Sequence, residues 1–380
     1  MNRYILIAVN TVRSFATPAF NFLITIFGIK FFGKEDWGTL INALLWTFFM
    51  VFSFGWGNRE YLIRKYSKQP RTIYHSFYSN FFSRSILLPL ALLLLLFFPF
   101  PIAIWCIALV VLMHVYNALD SLVVYHQKFG AQLIAECIAF SIIIASVFYS
   151  NTFNLVTFLS LYAFAYLCKL IFLFMAMQLW KEECTFQISL KEFKGGFSFF
   201  LLGFSGWLMS KIDIYVVDFF LPKAKLSEYQ LLITSFLMLQ ALAGFLMIPF
   251  TKHVYRLNDS VIKKLKIKLY SIAVPVVTIG CLAIWFVMEK FVVLNLDSKY
   301  YILGVFIALP AFFYTINVMQ LLKKHQEHKV IYINCIGTAI NLILILILIK
   351  DQDIYGVLLS VCIAQWLVLL IYKLAFNTSK

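Results

Sequence analysis

The chain runs to 380 residues, 62% of them hydrophobic and only 13% charged, with 41 Phe, 20 Tyr and 8 Trp. A soluble fold of that length has too little core for so much apolar surface and would carry about 25% charged residues, while disorder demands low hydrophobicity. The net charge of +15 would suggest nucleic acid in a soluble chain; in one this apolar it reads as the positive-inside bias of a membrane protein, and no nucleic-acid partner is expected.

A membrane-spanning helix takes about 20 apolar residues. Apolar runs and their breaks predict an all-α, polytopic membrane protein whose spans lie near 5–30, 38–56, 80–98, 102–124, 131–149, 155–180, 197–220, 229–249, 269–288, 301–321, 330–349 and 354–376, about twelve in all. The first starts close to Met1, shows no small-residue cleavage site and reads as a retained helix rather than a signal peptide. Turn chemistry marks several breaks: Gly33 to Gly38, Pro99-Phe100-Pro101, Gly195-Gly196 and Pro222. Lys and Arg in alternate connections number 22 on the side that includes both termini and 7 on the other, which puts the termini in the cytoplasm. The basic segments after spans two and eight could bind anionic lipid head groups, though fixing topology is the simpler reading. A midpoint at residue 190 leaves six spans in each half, 1–190 and 191–380. FFGKEDWGTL (31–40) and FFLPKAKLSEYQ (219–230) hold equivalent places in the two halves, which suggests an internal duplication.

A charge at mid-bilayer costs about 2.5–3.5 kcal/mol on insertion scales, so it needs a partner, a cavity or a function. Arg13, Lys169, Lys211 and Asp213 fall nearest the middles of their spans; Arg84, Asp120, Glu136 and Asp218 fall nearer the ends. Three cations against one anion leave an excess of +2 at depth, which suits a hydrated cavity receiving an anion better than a closed bundle. Polar stripes point the same way. In the first span Asn10, Ser14, Thr17, Asn21 and Thr25 lie within roughly 60° of one direction, beside Arg13 and the kinking Pro18. His114, Asn117, Asp120 and Ser121 share a face of the fourth span, and Asn334, Thr338 and Asn341 a face of the eleventh. Any single stripe is equally an interhelical hydrogen-bond seam.

In the seventh span Lys211 and Asp218 share a face, while Asp213 points about 160° away from Lys211. Asp213 is a candidate cation or proton site; a structural ion pair with Lys169 is the alternative. Most aromatics read as lipid-facing packing or interfacial belts. The seven Cys are scattered, without a C-x-x-C or a Cys/His cluster, so neither a metal site, a disulfide framework nor a cofactor is expected. Nor is there a phosphate loop, nucleophile elbow or dinucleotide fingerprint.

Two pairs of segments carry a resemblance. FFGKEDWG (31–38) is followed by FSFGWGNREYLIRKYS (52–67), and SKIDIYVVDFF (210–220) by SEYQLLITSFLMLQALAGFLMIPF (227–250). They resemble the O-antigen and capsule polysaccharide flippases of the multidrug/oligosaccharidyl-lipid/polysaccharide exporter superfamily: a short loop with an aromatic-Gly pair, a helix ending in Gly before a basic amphipathic segment, then an Ile-Asp pair in the seventh helix, an aromatic opening the eighth and Pro near its end. The likeness runs over nearly the whole chain. It departs where Glu228 replaces the Gly that commonly precedes that aromatic, and the chain is short for the family.

The resemblance implies two six-helix bundles around a central cavity that opens alternately to either side of the bacterial inner membrane. The implied cargo is an undecaprenyl-pyrophosphate-linked oligosaccharide moved from the cytoplasmic to the periplasmic leaflet. Membrane lipids, H+ or Na+, a polysaccharide polymerase and other assembly proteins are the implied partners. On this reading Arg13, Lys169, Lys211, Arg84, Asn10, Asn21, Asn117, Asn334 and Asn341 are candidate contacts to the pyrophosphate and sugars. Asp213, Glu136, Asp120 and Asp218 are candidates for ion coupling. A drug-cation antiporter of the same superfamily is the first alternative, though it would favour an acidic cavity. A membrane polymerase or acyltransferase is the second; it would want a sizeable periplasmic loop or a membrane-embedded His, and only His114 qualifies.

Overall fold

A computed structural model describes residues 3–150, 152–247, 259–292, 294, 296–324 and 326–377, and no strand occurs among them. Pro249, Lys252, Arg256 and Lys380, which figure in the motif and charge readings, lie outside the described residues. The helices are α1 (Arg3–Phe32), α2 (Lys34–Gly55), α3 (Asn58–Lys68), α4 (Ile73–Ser85), α5 (Phe100–His126), α6 (Phe129–Tyr149), α7 (Leu155–Met177), α8 (Leu190–Phe220), α9 (Lys223–Met247), α10 (Asp259–Val287), α11 (Ser298–Lys323) and α12 (Glu327–Asn377). Among the described residues, ten helical segments, α12 taken as one, are long and apolar enough to cross a membrane.

The FFGKEDWG segment becomes a one-residue corner. Gly33, at φ 88, closes α1 and opens α2, in a left-handed region that favours glycine. Trp37 then lies against α1: a Cβ on Gly28 would come within 2.3 Å of its ring. The FGWG segment makes a second corner, with Trp56 at φ 45 and Gly57 at φ 64, from which the basic amphipathic α3 departs. Leu62 and Tyr66 bury one side of α3 in a cluster with Phe77, Leu119, Leu122 and Leu173.

The third predicted span, 80–98, is not one α-helix. It is α4 followed by a nine-residue 3₁₀ stretch, Leu88–Leu96. Pro89 lacks an N–H and cannot continue the α-helical ladder, and 3₁₀ runs this long are uncommon. The last two predicted spans are joined in the 51-residue α12, broken at Asp353 (φ 53, ψ −139).

Internal packing divides the chain into Met1–Phe204 and Ser205–Lys380, with the division inside α8. In the first unit α6 packs on α1 and α7, and α5 packs on α2, α3 and α7. In the second, α11 packs on α9, α10 and α12. Small residues let these helices approach, as expected where close packing rather than water drives association. Phe236 lies over Gly304, and Val368 over Gly337. Many large apolar side chains face outward, among them Leu96 (78% exposed), Ile279 (67%) and Ile347 (61%). Water would not tolerate such surfaces, whereas lipid chains do.

Candidate functional site

A cavity of about 650 Å³ lies within the first unit. Five helices deliver its polar lining through helical spacing. α1 supplies Arg13, Ser14 and Thr17; α3 supplies Asn58, Arg59 and Glu60 directly after the Gly57 corner; α5 supplies Tyr116, Asn117 and Asp120. Gln132 and Glu136 stand four apart on α6, and Tyr166 and Lys169 three apart on α7, so each pair shares a face. Phe199, Phe200 and Gly203 of α8 and Phe52 of α2 make an apolar wall. Trp56 anchors that wall: its ring stacks on Phe200 at 4.3 Å and its indole N–H donates to the Phe193 carbonyl at 3.0 Å.

Asp120 is the hub. Arg13 donates from Nη1 to Asp120 Oδ1 at 3.1 Å and to Gln132 Oε1 at 2.5 Å. Gln132 in turn donates from Nε2 to Asp120 Oδ1 at 3.0 Å, and Arg59 Nε sits 3.0 Å from Asp120 Oδ2. Two guanidinium groups and an amide thus converge on one oxyanion. Phe129 lies 5.2 Å beneath the Arg13 guanidinium.

A second cluster lies on the same wall. Lys169, 3% exposed, donates to both oxygens of Glu136 at 3.2 and 3.1 Å. Its ammonium lies 4.1 Å and 3.9 Å from the ring centroids of Tyr116 and Tyr166. Tyr116 OH completes the group by donating to Glu136 Oε1 at 2.6 Å. Ring faces compensate a desolvated ammonium by up to about 2 kcal/mol, so the carboxylate is the larger partner.

Among the lining residues Arg13, Arg59 and Lys169 are matched by Glu60, Asp120 and Glu136. The +2 excess of the sequence count does not appear here, because Asp120 and Glu136, placed there near helix ends, sit beside the mid-span cations. Lys169, for which the sequence offered Asp213 as an alternative partner, takes Glu136.

The other candidates fall elsewhere. Asn117, Ser14 and Thr17 line the cavity, whereas Asn10 and Asn21 do not. Arg84, buried outside it, donates to the Phe54 and Gly55 carbonyls at 3.4 and 3.1 Å, so it caps the C-terminus of α2. His114 faces Ser85 at 3.3 Å, and Ser121 faces Tyr66, which divides the expected stripe on the fourth span.

Lys211, Asp213, Asp218, Asn334 and Asn341 belong to the second unit. Asp213, 2% exposed, accepts a hydrogen bond from Tyr229 OH, while its Oδ1 has no partner. The Ile-Asp pair of one motif and the aromatic of the next therefore meet. Asp218 pairs with Lys223 at 2.6 Å. Asn334 joins α8 and α12 through Ser205 and Tyr372 as a hydrogen-bond seam, and Asn341 is buried with Oδ1 unpaired.

Sequence reading missed Arg59, Gln132, Tyr116 and Tyr166. Gln132 and Glu136, a polar pair at i, i+4 inside an apolar run, were the available signal; Arg59 was hidden among topology-setting cations.

No known family profile and no curated protein sequence matches the chain. Solved structures do. A lipid II flippase, MurJ, in an inward closed conformation aligns at TM-score 0.74 and 16% identity, covering 97% of this chain and 87% of its own. An inward-facing multidrug resistance MATE transporter of the MOP superfamily aligns at 0.62 and 12%, covering 97% and 94%. The eukaryotic MATE transporter AtDTX14 aligns at 0.63 and 14%, again covering 97% and 94%. At these identities the likeness is one of fold. The chain is a multi-pass membrane protein, helical throughout its regular structure among the described residues, and it shares its fold with these solved structures.

Proposed function

We propose that the protein is a flippase for an undecaprenyl-pyrophosphate-linked oligosaccharide repeat unit, moving it from the cytoplasmic to the periplasmic leaflet of a bacterial inner membrane by alternating access. The observation that carries this reading is the grip of Arg13 and Arg59 on the Asp120 carboxylate within a 650 Å³ cavity. Two guanidinium groups that hold one oxyanion from two sides suit a diphosphate. Asn117, Ser14 and Thr17 can replace sugar hydration. The fold shared with a lipid II flippase supports the same cargo class.

Charge balance sets the mechanism. A diphosphate diester brings about two negative charges, so it must displace Asp120 and Glu136 from their cations or arrive as they take up protons. Proton uptake at Asp120 or Glu136 frees Arg13, Arg59 and Lys169 for phosphate, which couples cargo to an ion gradient. Asp213, whose buried Oδ1 is unpartnered, is the corresponding H+ or Na+ site of the second unit, with Lys211 and Asp218 nearby in sequence. Each half, 1–190 and 191–380, is then a six-helix bundle of a duplicated transporter with both termini cytoplasmic.

A second reading has its own observation. Three carboxylates beside Tyr116, Tyr166, Phe199 and Phe200 also suit an aromatic organic cation, as in a drug antiporter. Genetic replacement separates the two. Arg13→Ala and Lys211→Ala should abolish surface polysaccharide while the protein still inserts; full display in both variants, with export of a fluorescent cation, would install the antiporter instead.

A further inference from the structure

A second pocket, about 360 Å³, lies between α3 and the start of α8, lined by Tyr61, Arg64, Lys65, Lys68, Gln69, Gly195 and Phe199. Positions 61, 64, 65 and 68 follow helical spacing and put three cations on one stripe of α3. The opposite side is buried through Leu62 and Tyr66, so the stripe cannot rotate away.

The wall is tightly fitted. A Cβ on Gly195 would come within 2.6 Å of the Tyr61 ring, and one on Gly57 within 2.5 Å of the Phe200 backbone nitrogen. Lys65 is held by Glu192 at 2.7 Å and lies 5.8 Å from the Tyr61 ring. Arg64 and Lys68, both exposed, have no ion-pair partner among the described residues. Phe199 lines this pocket and the large cavity alike, and α3 sends Arg59 into the one and Arg64 and Lys68 into the other.

From this we infer that the α3–α8 pocket is a separate binding site for a phosphoryl group at the membrane surface, a first contact for the diphosphate before the cavity. Arg64 supplies a planar fork, Lys68 a mobile point charge and Gln69 an amide donor, a set matched to phosphate oxygens. The phosphoryl chemistry follows from the pocket itself; its assignment to a lipid-linked diphosphate rests on the flippase reading.

Protein in phosphatidylcholine nanodiscs, titrated with inorganic pyrophosphate and followed calorimetrically, tests this. Arg64→Gln/Lys68→Gln should weaken the tightest binding by about tenfold or more. Lys191→Gln/Lys194→Gln removes the same charge from exposed positions of α8 outside the pocket and should change it less than about twofold. Arg13→Gln, in the large cavity, should weaken a separate, looser binding event and not the tightest one. Equal weakening in the two double variants, or none in Arg64→Gln/Lys68→Gln, overturns the inference; loss confined to Arg13→Gln overturns it while leaving the flippase reading standing. Repetition in phosphatidylglycerol nanodiscs identifies the source. Competition there points to phospholipid head groups and its absence to the diphosphate, and either supports a phosphoryl site.

Discussion

Separating Glu136 from Lys169 gives the sharpest energetic test of the cavity wall. Lys169 is 3% exposed, bonded to both Glu136 oxygens, and flanked by the Tyr116 and Tyr166 rings. Breaking a buried ion pair by removing one partner costs about 3–5 kcal/mol, because the survivor is left uncompensated. In Glu136→Gln the rings still face the ammonium and offset part of that loss, so about 3 kcal/mol is expected. In Lys169→Met the carboxylate keeps the Tyr116 hydroxyl, and a similar loss is expected. The double variant leaves no orphan charge and should lose at most about 3 kcal/mol rather than the roughly 6 of independent sites, a coupling of about 3 or more. An ordinary interhelical hydrogen bond couples by only about 0.6 kcal/mol. Reversible unfolding of the four proteins in bicelles measures the cycle. A coupling below about 1 kcal/mol would refute the argument by showing the two groups hydrated and independent.

Three further outcomes follow from particular contacts. Gly57→Ala combines a left-handed backbone, about 1–2 kcal/mol for a residue with a Cβ, with a 2.5 Å approach to the Phe200 nitrogen; limited proteolysis should then cut near α3 in the variant and spare the parent. Arg84→Gln removes the charge-assisted cap on Phe54 and Gly55 and should destabilise by about 2 kcal/mol, with the transport KM of the folded fraction unchanged. A shifted KM would return Arg84 to the list of cargo contacts. Asp120→Asn leaves Arg13 and Arg59 without their anion and should tighten pyrophosphate binding to the cavity while slowing turnover, read by equilibrium binding and by flipping rate. Weaker binding would show that Asp120 orients the arginines rather than competing for them.

Hydrophobic runs and turn residues carried the fold, because lipid imposes nearly the same demand on every span: about 20 apolar residues and a satisfied backbone. Gly33, Pro99-Phe100-Pro101 and Pro222 marked corners that the structure places within a residue or two, whereas Gly195-Gly196 lies inside the continuous α8. Leu88–Leu96 escaped notice because its composition is that of any apolar span; only Pro89 hinted at a different hydrogen-bond pattern. Arg13 and Lys169 stood out as buried cations, but their partners did not. Distance along a helix says how deep Asp120 and Glu136 lie and nothing about which neighbour they meet. Three-dimensional pairing converts an apparent excess of positive charge into a balanced network. Arg84 illustrates the converse: a conspicuous cation whose Nη1 serves backbone carbonyls of an adjacent helix end and whose Nε serves Asn80 of its own helix.

The central claim, that Arg13, Arg59 and Lys169 release their carboxylates to accept a diphosphate headgroup, is tested most directly by reconstitution. Purified protein in liposomes, loaded with an undecaprenyl-pyrophosphate oligosaccharide on one leaflet and probed with a membrane-impermeant glycosidase, reports flipping. Flipping should accelerate under an imposed ion gradient and vanish in Arg13→Ala/Arg59→Ala. Unchanged flipping in that variant, or none in the parent while a fluorescent organic cation is transported, would contradict it.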